Sequence, residues 1–249
     1  MSRTARVRLL TIVVILLAWE GLSRSGLVYV GVFPGLGAIF SSVVDRLASA
    51  EFYYHFAVTF YQVIVGAAIG GLIGLAVGVL FRIAPFVGGM LEPFVNYFAP
   101  MPKVILLPIL LILFGVGSGS KIAMAGLSCF FPVAVATFAG MQQVNPVHLR
   151  VARSFNAGHW QTIRKVYLPS ITLPVITGFR LGIAVAIIGT LLAQIKLSNA
   201  GLGYLIIQYY NHFKIADMYA VLLLTFAVAV VVNVGMDRLE RARLRRGAA

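Results

Sequence analysis

Four polar side chains in or beside long apolar stretches are the residues of this sequence that could act on a solute. Lys103 and Arg180 lie within apolar runs, and Gln194 and Lys196 lie near the end of the same run as Arg180. Charged groups in a bilayer normally face protein or a water-filled cavity, because exposure to hydrocarbon is costly. The four therefore predict a translocation path that favours anions. For Lys103 and Arg180, an internal pair or a side chain that snorkels to the interface is the alternative.

The sequence holds no arrangement of side chains that would catalyse a reaction or bind a metal. His148 and His159 lie in a polar loop without ligand spacing around them, and the single cysteine, Cys129, lies inside an apolar run. One cysteine makes neither a disulfide nor a metal cluster. The glycine-rich stretch 114–119 lacks the Lys and Ser/Thr that a phosphate-binding loop requires. We therefore predict no catalytic residue, no metal site and no cofactor in this chain.

Composition indicates that membrane-spanning helices position these residues. Of the 249 residues, 60% are hydrophobic and only 11% are charged, whereas soluble domains carry about 25% charged residues. The net charge of +13 does not indicate a nucleic-acid partner, because the basic residues flank the apolar runs in the positive-inside pattern. The chain is predicted to be a multi-pass protein of the bacterial inner membrane.

Six apolar runs approach the roughly 20 residues that cross a bilayer as a helix. They lie at about Leu9–Leu22, Val58–Phe81, Phe94–Phe114, Ile122–Met141, Ile171–Ile195 and Ile215–Met236. Short connections between them predict one all-α polytopic domain over residues 1–249. Most Lys and Arg residues fall on the side of the two termini, so both termini are predicted to lie in the cytoplasm.

Small residues at helical spacing predict how the spans pack. Residues four apart share one face of a helix, and glycine there lets a neighbouring backbone approach closely. The predicted packing positions are Gly66, Gly70, Gly74, Gly78, Gly178 and Gly182. Pro100, Pro102 and Pro108 interrupt the third span, which is therefore predicted to be irregular and enclosed by protein.

The loop at residues 142–170 is predicted to form two short amphipathic helices. Asn145 followed by Pro146 is a helix-start signal. The predicted faces consist of Leu149, Ala152 and Phe155, then Trp160, Ile163 and Tyr167 on the apolar side, with Arg150, Arg153, Arg164 and Lys165 on the basic side. Such a loop either lies on anionic lipid or docks into a groove on a partner protein. The residues alone leave both open.

The 142–170 loop resembles the "EAA loop" of binding-protein-dependent ABC importer permeases. Ala152, Val166 and Leu168-Pro169 occupy positions of that pattern. The run Pro102-Lys-Val-Ile-Leu-Leu-Pro108, followed by Phe114-Gly-Val-Gly117, resembles the third-span signature of the nitrate/sulfonate/taurine branch, and Gly201-Leu-Gly-Tyr204 also fits. The resemblance covers about residues 55–246.

Two positions of the loop depart from the family pattern. Arg150 stands where the family has glutamate, and Asn156 stands where it has glycine. Asparagine tolerates a left-handed backbone better than most residues, so we expect the turn to form. The reversed charge at Arg150 predicts either a compensating change in the partner or pairing with a second, different permease.

The resemblance implies the fold of a type I ABC importer permease and its partners. These would be two ABC ATPase subunits that use ATP and Mg, an extracytoplasmic solute-binding protein, and a second permease, identical or different. The residues expected to couple to the ATPase are Arg150, Val151, Ala152, Arg153, Ser154, Phe155, Asn156, Ala157, Gly158, His159 and Trp160.

The expected solute is small and anionic, such as a sulfonate, nitrate or a carboxylate, and neutral thiamin precursors are the alternative. A different mechanism would be a secondary transporter driven by an ion gradient. Such a protein typically carries carboxylates at the middle of the membrane and internal repeats. The sequence shows neither feature.

Overall fold

The computed structural model describes residues 3–27 and 31–247, and these fold into helices with no strand among them. The all-α prediction is confirmed. The α-helices are α1 (Arg3–Arg24), α2 (Leu36–Leu47), α3 (Ala50–Ile83), α4 (Pro85–Phe98), α5 (Leu107–Phe114), α6 (Ser118–Gln142), α7 (Pro146–Ser154), α8 (His159–Thr162), α9 (Leu168–Ser170), α10 (Thr172–Lys196), α11 (Leu202–Asn211) and α12 (Ile215–Gly247). A 3₁₀ turn at Lys103–Leu106 precedes α5, and a π turn at Ile163–Tyr167 joins α8 to α9.

The centre of the bundle is α6, which packs between α3 and α10. Glycines on α3 make the first contact possible. A Cβ at Gly70 would overlap the carbonyl group of Gly126, and one at Gly74 would lie 2.5 Å from the carbonyl oxygen of Phe130. The structure places all four of the predicted α3 glycines against α6: Gly66, Gly70, Gly74 and Gly78. Backbone-to-backbone packing of this kind joins helices where lipid removes the hydrophobic driving force.

The second contact of α6, with α10, also depends on glycines that allow the two helices to approach closely. A Cβ at Gly178 would lie 2.8 Å from the Cβ of Ala136, and one at Gly182 would lie 2.6 Å from the sulfur of Cys129. Cys129 is a buried free thiol within this contact. The three helices therefore form a rigid block to which the other elements attach.

Among the described residues, four helices are long and apolar enough to cross a membrane: α3, α6, α10 and the Ile215–Ala242 part of α12. A fifth candidate exists if α4 and the segment Lys103–Phe114, which meet at 100°, form one broken span. The prediction of six spans exceeds this count. Within the described residues, the first predicted span coincides with α1, where Arg8 and Glu20 bound an apolar stretch of only about 17 Å. The number of spans and their orientation stay predictions.

The proline-rich third span is broken as predicted, between α4 and the turn at Lys103. Its enclosure by protein is only partial in this chain. Leu107 and Leu110 are buried against α6, whereas Ile109 and Ile112 on the same short helix are exposed. The prediction that the segment is enclosed by protein is therefore wrong for the single chain.

Candidate functional site

The 142–170 loop starts and turns at the positions that its sequence predicts. The Asn145 side chain accepts a hydrogen bond from the backbone N–H of Val147, and Pro146 occupies the first turn of α7. After α7 the chain reverses at Asn156, whose φ is 50°. The N–H of Ala157 donates to the carbonyl of Ala152 over 3.0 Å, and that of Asn156 to Arg153 over 2.9 Å. This is a Schellman motif with asparagine at its left-handed position.

The inner side of the loop is anchored to the bundle. Met141, Val144 and Ile171 form a buried cluster at the end of α6 and the start of α10, and Leu149 and Val166 pack against it. Ala152 is also buried. The loop is therefore held on the core by apolar contacts that run through α7 and the π turn.

Two aromatic residues on the outer side of the loop are not covered by the chain. Phe155 is 82% exposed and Trp160 is 69% exposed. The predicted grouping of Phe155 with Leu149 and Ala152 is wrong, because α7 ends at Ser154 and the Schellman turn redirects the next residue. The grouping of Trp160 with Ile163 and Tyr167 is also wrong, since both of those are half-buried.

The remaining predicted loop residues are mostly exposed. Val151 is 49% exposed, and the side chains of Arg150 and Arg153 are exposed as well. The Ser154 hydroxyl donates to the Arg150 carbonyl, and the Gly158 carbonyl accepts from the Thr162 hydroxyl. Ala157 is half-buried. The His159 side chain lies outside the described part of the structure.

Arg180, predicted either in a path or in an internal pair, is held by acidic side chains of α12. Its guanidinium lies 3.0 Å from an Asp237 oxygen and 2.9 Å from a Glu240 oxygen, and its Nε donates to Asn233. Glu240 also accepts a 2.6 Å hydrogen bond from the Thr177 hydroxyl. The contacts favour the internal pair, which joins α10 to α12.

The Lys103 side chain donates hydrogen bonds to backbone carbonyls at the break between α4 and α5. Its ammonium group donates to the carbonyls of Ala99 at 2.5 Å and Met101 at 3.2 Å, and lies 5.1 Å from the ring centroid of Phe131. Because the prolines leave carbonyls without helical partners, a cation at this position satisfies them. Lys196, by contrast, is exposed at the end of α10.

Gln194 lies in a buried network at the start of α11. Its Nε2 donates to the Gln62 side chain over 2.7 Å, and its Oε1 accepts from the Gly203 N–H over 2.9 Å. His55 Nδ1 accepts from the N–H of Gly201, and Thr59 Oγ1 from that of Leu202. We call His55, Thr59, Gln62, Gln194 and the N–H groups of residues 201–203 the α11 network. Gln194 is completely buried, and its hydrogen bond with the Gly203 N–H gives it a helix-capping role at the start of α11.

The packing around the α11 network requires glycine at both ends of the Gly201-Leu-Gly203 sequence. Gly201 has a φ of 109°, which L side chains rarely adopt, and a Cβ there would overlap the Gln194 amide. A Cβ at Gly203 would lie 2.6 Å from the Leu191 carbonyl oxygen. Both glycines let α11 begin directly against α10.

Two cations make contacts that the sequence does not suggest: Lys121, which is buried, and Arg46, which is half-buried. The Lys121 side chain is completely buried and donates to the Val116 carbonyl. Arg46 donates to the Tyr209 hydroxyl over 2.6 Å and lies 3.5 Å from an Asp217 oxygen. Burial raises the pKa of the Tyr209 hydroxyl, and the nearby Arg46 charge opposes that shift. No local pattern marks either group, because their partners come from turns or distant helices.

Among the described residues, the geometry of the 142–170 loop provides a binding surface. Among the residues that the structure describes, no group of three or more His, Cys, Asp or Glu side chains could hold a metal ion. What the 142–170 loop offers is a fixed turn, two exposed aromatic side chains and several exposed cations. Such a surface can bind another protein.

Comparisons with known proteins agree on one family. Residues 66–246 match the family described as binding-protein-dependent transport system inner membrane component. The taurine transport system permease protein TauC of Escherichia coli (strain K12) is 29% identical over 193 residues, 77% of this chain and 70% of that protein. A Bacillus subtilis (strain 168) protein, provisionally named as the aliphatic sulfonates transport permease protein SsuC, is 27% identical over 232 residues, 93% of this chain and 84% of that protein.

The fold agrees as well. A chain of the MetNI methionine ABC transporter in an inward-facing conformation superposes with a TM-score of 0.67 at 22% identity, over 74% of this chain and 92% of that one. At this identity the likeness shows the fold alone, and the shared fold is that of an ABC importer permease.

Proposed function

Because this chain belongs to the family of binding-protein-dependent transport system inner membrane components, we propose that its 142–170 loop couples import of a small anionic solute to an ATPase held in separate chains. Family membership makes the chain the permease component of a binding-protein-dependent ABC importer. It is a transport subunit and not an enzyme. Membership in this family therefore favours an ATP-driven importer over the alternative, a transporter driven by an ion gradient.

The observation that carries the proposal is the pair of exposed aromatic rings on an anchored loop. Phe155 and Trp160 flank the Schellman turn at Asn156. Exposed apolar side chains on the spans face lipid and need no protein partner, but these two lie outside every candidate span. Aromatic residues on a rigid turn are typical anchors of protein interfaces. We assign them to the contact with the ATPase.

Coupling would follow from the way the loop is attached. Leu149 and Val166 pack on the cluster that joins the end of α6 to the start of α10. A displacement of the loop by closing ATPase subunits would therefore act on the central block of spans. The ATP-bound partner would favour one arrangement of the spans only through contacts that differ between the two arrangements. ATP and Mg would be used by the partner, with no nucleotide site in this chain.

The solute class that best fits the relatives is a small organosulfonate, with nitrate-like and carboxylate anions as the wider class. The supporting relatives are named for taurine and for aliphatic sulfonates. Arg180 is neutralised by Asp237 and Glu240, so it is a poor candidate for solute recognition. An extracytoplasmic binding protein would deliver the solute.

The assembly would contain two ABC ATPase subunits, the binding protein and a second permease. Arg150 reverses the family's charge, which favours a second permease that differs from this chain. The loop would face the cytoplasm, in line with the excess of Lys and Arg predicted for that side.

Purification of the chain from mild detergent, followed by mass spectrometry of what accompanies it, tests the proposal. We expect a P-loop ATPase in the complex, and a second permease if the pairing is mixed. A chain that runs without any ATPase under several detergent conditions would overturn the coupling proposal. Competition of uptake by taurine, an alkanesulfonate, nitrate and a neutral pyrimidine then tests the solute class.

A further inference from the structure

We propose that a cavity beneath the 142–170 loop binds a tetrahedral oxyanion, either the phosphate of a lipid headgroup or a free phosphate or sulfate ion. The cavity has a volume of about 430 Å³ and lies between the loop and the junction of α3 with α4. Leu149 and Ile163 form part of its apolar wall, and Arg82 and Arg153 form part of its polar wall. Its location on the cytoplasmic face rests on the proposed function.

Two guanidinium groups line this cavity, and neither has a hydrogen-bonding or acidic partner among the described residues. Arg82 lies in the last turn of α3, and Arg153 lies in the last turn of α7. Within residues 3–27 and 31–247, neither side chain makes a hydrogen bond or an ion pair. Other arginines do pair with acids, namely Arg24, Arg46, Arg180 and Arg241. A guanidinium presents five N–H donors in a fork that fits phosphate and sulfate oxygens.

The Tyr167 ring contacts one of the two guanidinium groups that line the cavity. The guanidinium carbon of Arg82 lies 5.9 Å from the ring centroid of Tyr167, within the range of a cation–π contact. Contact with a ring face leaves the N–H donors of Arg82 available. The Thr162 hydroxyl donates to the Gly158 carbonyl, so it adds no donor. The anion would therefore be held mainly by the two arginines.

Among the described residues, no acidic side chain forms an ion pair with Arg82 or Arg153. Glu92 lines a neighbouring cavity of about 350 Å³ that Arg82 shares, but in the described part of the chain it forms no ion pair with Arg82. Asp237 and Glu240 are engaged by Arg180 and Arg241. Cations at a half-enclosed site without counter-charges attract an anion. The half-buried position of Arg82 makes this attraction less screened than on an open surface.

A bound anion would link two parts that move separately if the loop works as a lever. Arg82 belongs to the fixed block around α6, and Arg153 belongs to the loop. An oxyanion between them would therefore hold the loop in the position seen here. By differential binding it would favour that position over others. The cavity is thus a candidate site at which lipid or a soluble anion regulates coupling.

The test uses the purified full chain in an uncharged detergent, with inorganic phosphate and sulfate as probes in isothermal titration at fixed ionic strength. A second arm reconstitutes the chain in nanodiscs of phosphatidylcholine with or without phosphatidylglycerol and records retained lipid by native mass spectrometry. The variants are Arg82→Gln, Arg153→Gln and both together. Lys165→Gln is the matched control, because Lys165 is an exposed cation of the same loop that does not line the cavity.

We expect either substitution to weaken the bound anion about tenfold or more, with no change in the Lys165→Gln variant. Binding of free ions identifies a soluble ligand, and retention of phosphatidylglycerol alone identifies a lipid headgroup. No binding in either arm, or an equal loss in the control, would overturn the proposal. Thermal melting of each variant confirms that it is folded. Since neither arm needs the ATPase, its result is independent of the coupling proposal.

Discussion

The α11 network and the 142–170 loop lie in one chain but differ in how far their groups are satisfied within it. In the α11 network, the N–H groups of Gly201, Leu202 and Gly203 each donate to a side chain from α3 or α10. In the loop, Phe155 and Trp160 are exposed, and neighbouring arginines have no acidic partner among the described residues. The first region is complete by itself, whereas the second retains groups that another molecule can bind.

The difference follows from where each region meets its surroundings. A buried helix start without partners for its N–H groups would be costly, since each unpaired group loses its hydration. The α11 network avoids this cost with side chains on neighbouring helices. The loop lies outside the candidate spans, where water can solvate its cations until a partner replaces that water. Exposed polar and aromatic groups there indicate binding more than they indicate poor packing.

The largest effect is expected from a side chain placed in the buried contact between α3 and α6. Gly70→Leu would drive a side chain into the carbonyl of Gly126, a backbone atom that cannot move alone. We expect a loss of stability of at least about 3 kcal/mol, seen as a large drop in monodisperse protein on size-exclusion chromatography. Gly235→Leu on α12 is the control, because a Cβ there would meet nothing within 4 Å. Equal yields for the two variants would mean that the α3 face meets lipid.

The next largest effect tests whether the exposed rings of the 142–170 loop bind the ATPase. Phe155→Ala combined with Trp160→Ala should weaken the ATPase complex by about 2–4 kcal/mol, while the thermal midpoint of the isolated chain stays unchanged. The measurement is an affinity titration of the purified ATPase against the chain in nanodiscs. Phe213→Ala is the control, since Phe213 is 77% exposed but lies between α11 and α12. An unchanged affinity in the double variant would remove these rings from the ATPase contact.

The features that the sequence predicts correctly depend on neighbouring residues or on regular spacing. The helix start at Asn145, the left-handed turn at Asn156 and the break at Pro102 depend on neighbouring residues, and all three appear in the structure. The glycine spacing on α3 marks a face, and that face meets α6. These features are local or strictly periodic, which is why a single sequence reveals them.

The features that sequence missed depend on distant partners or on a helix end. Gln194 and Thr59 are 135 residues apart, so no spacing rule brings them together. The outward position of Phe155 depends on α7 ending one residue earlier. Ala152, predicted as a contact residue, is buried in the loop's own packing. A charged residue at Ala157, which is half-buried, is therefore a cleaner test of coupling than one at Ala152.

A smaller effect tests whether the α11 network is complete. Thr59→Val removes the acceptor of the Leu202 N–H, leaving a buried donor unpaired. We expect a loss of about 1–3 kcal/mol in the free energy of unfolding, measured by denaturant titration in detergent. Thr225→Val is the matched control, because the Thr225 hydroxyl donates only to the Val221 carbonyl of its own helix. If both variants lose the same stability, the network contributes nothing beyond an ordinary buried threonine.

The smallest effect is expected at Arg180, and it decides between the two roles that sequence left open. Arg180→Gln would leave Asp237 paired with Arg241 and Glu240 hydrogen-bonded to Thr177, so the acids keep partners. An internal pair that is partly exposed to solvent contributes little. We therefore expect small, parallel decreases in assembled complex and in uptake of a sulfonate, with the KM for the solute unchanged. Adding Glu240→Gln to Arg180→Gln should cost less than the sum of the two single changes, because the residues interact. A rise in KM for the anion at normal assembly would instead place Arg180 in the translocation path, where its charge would bind the solute.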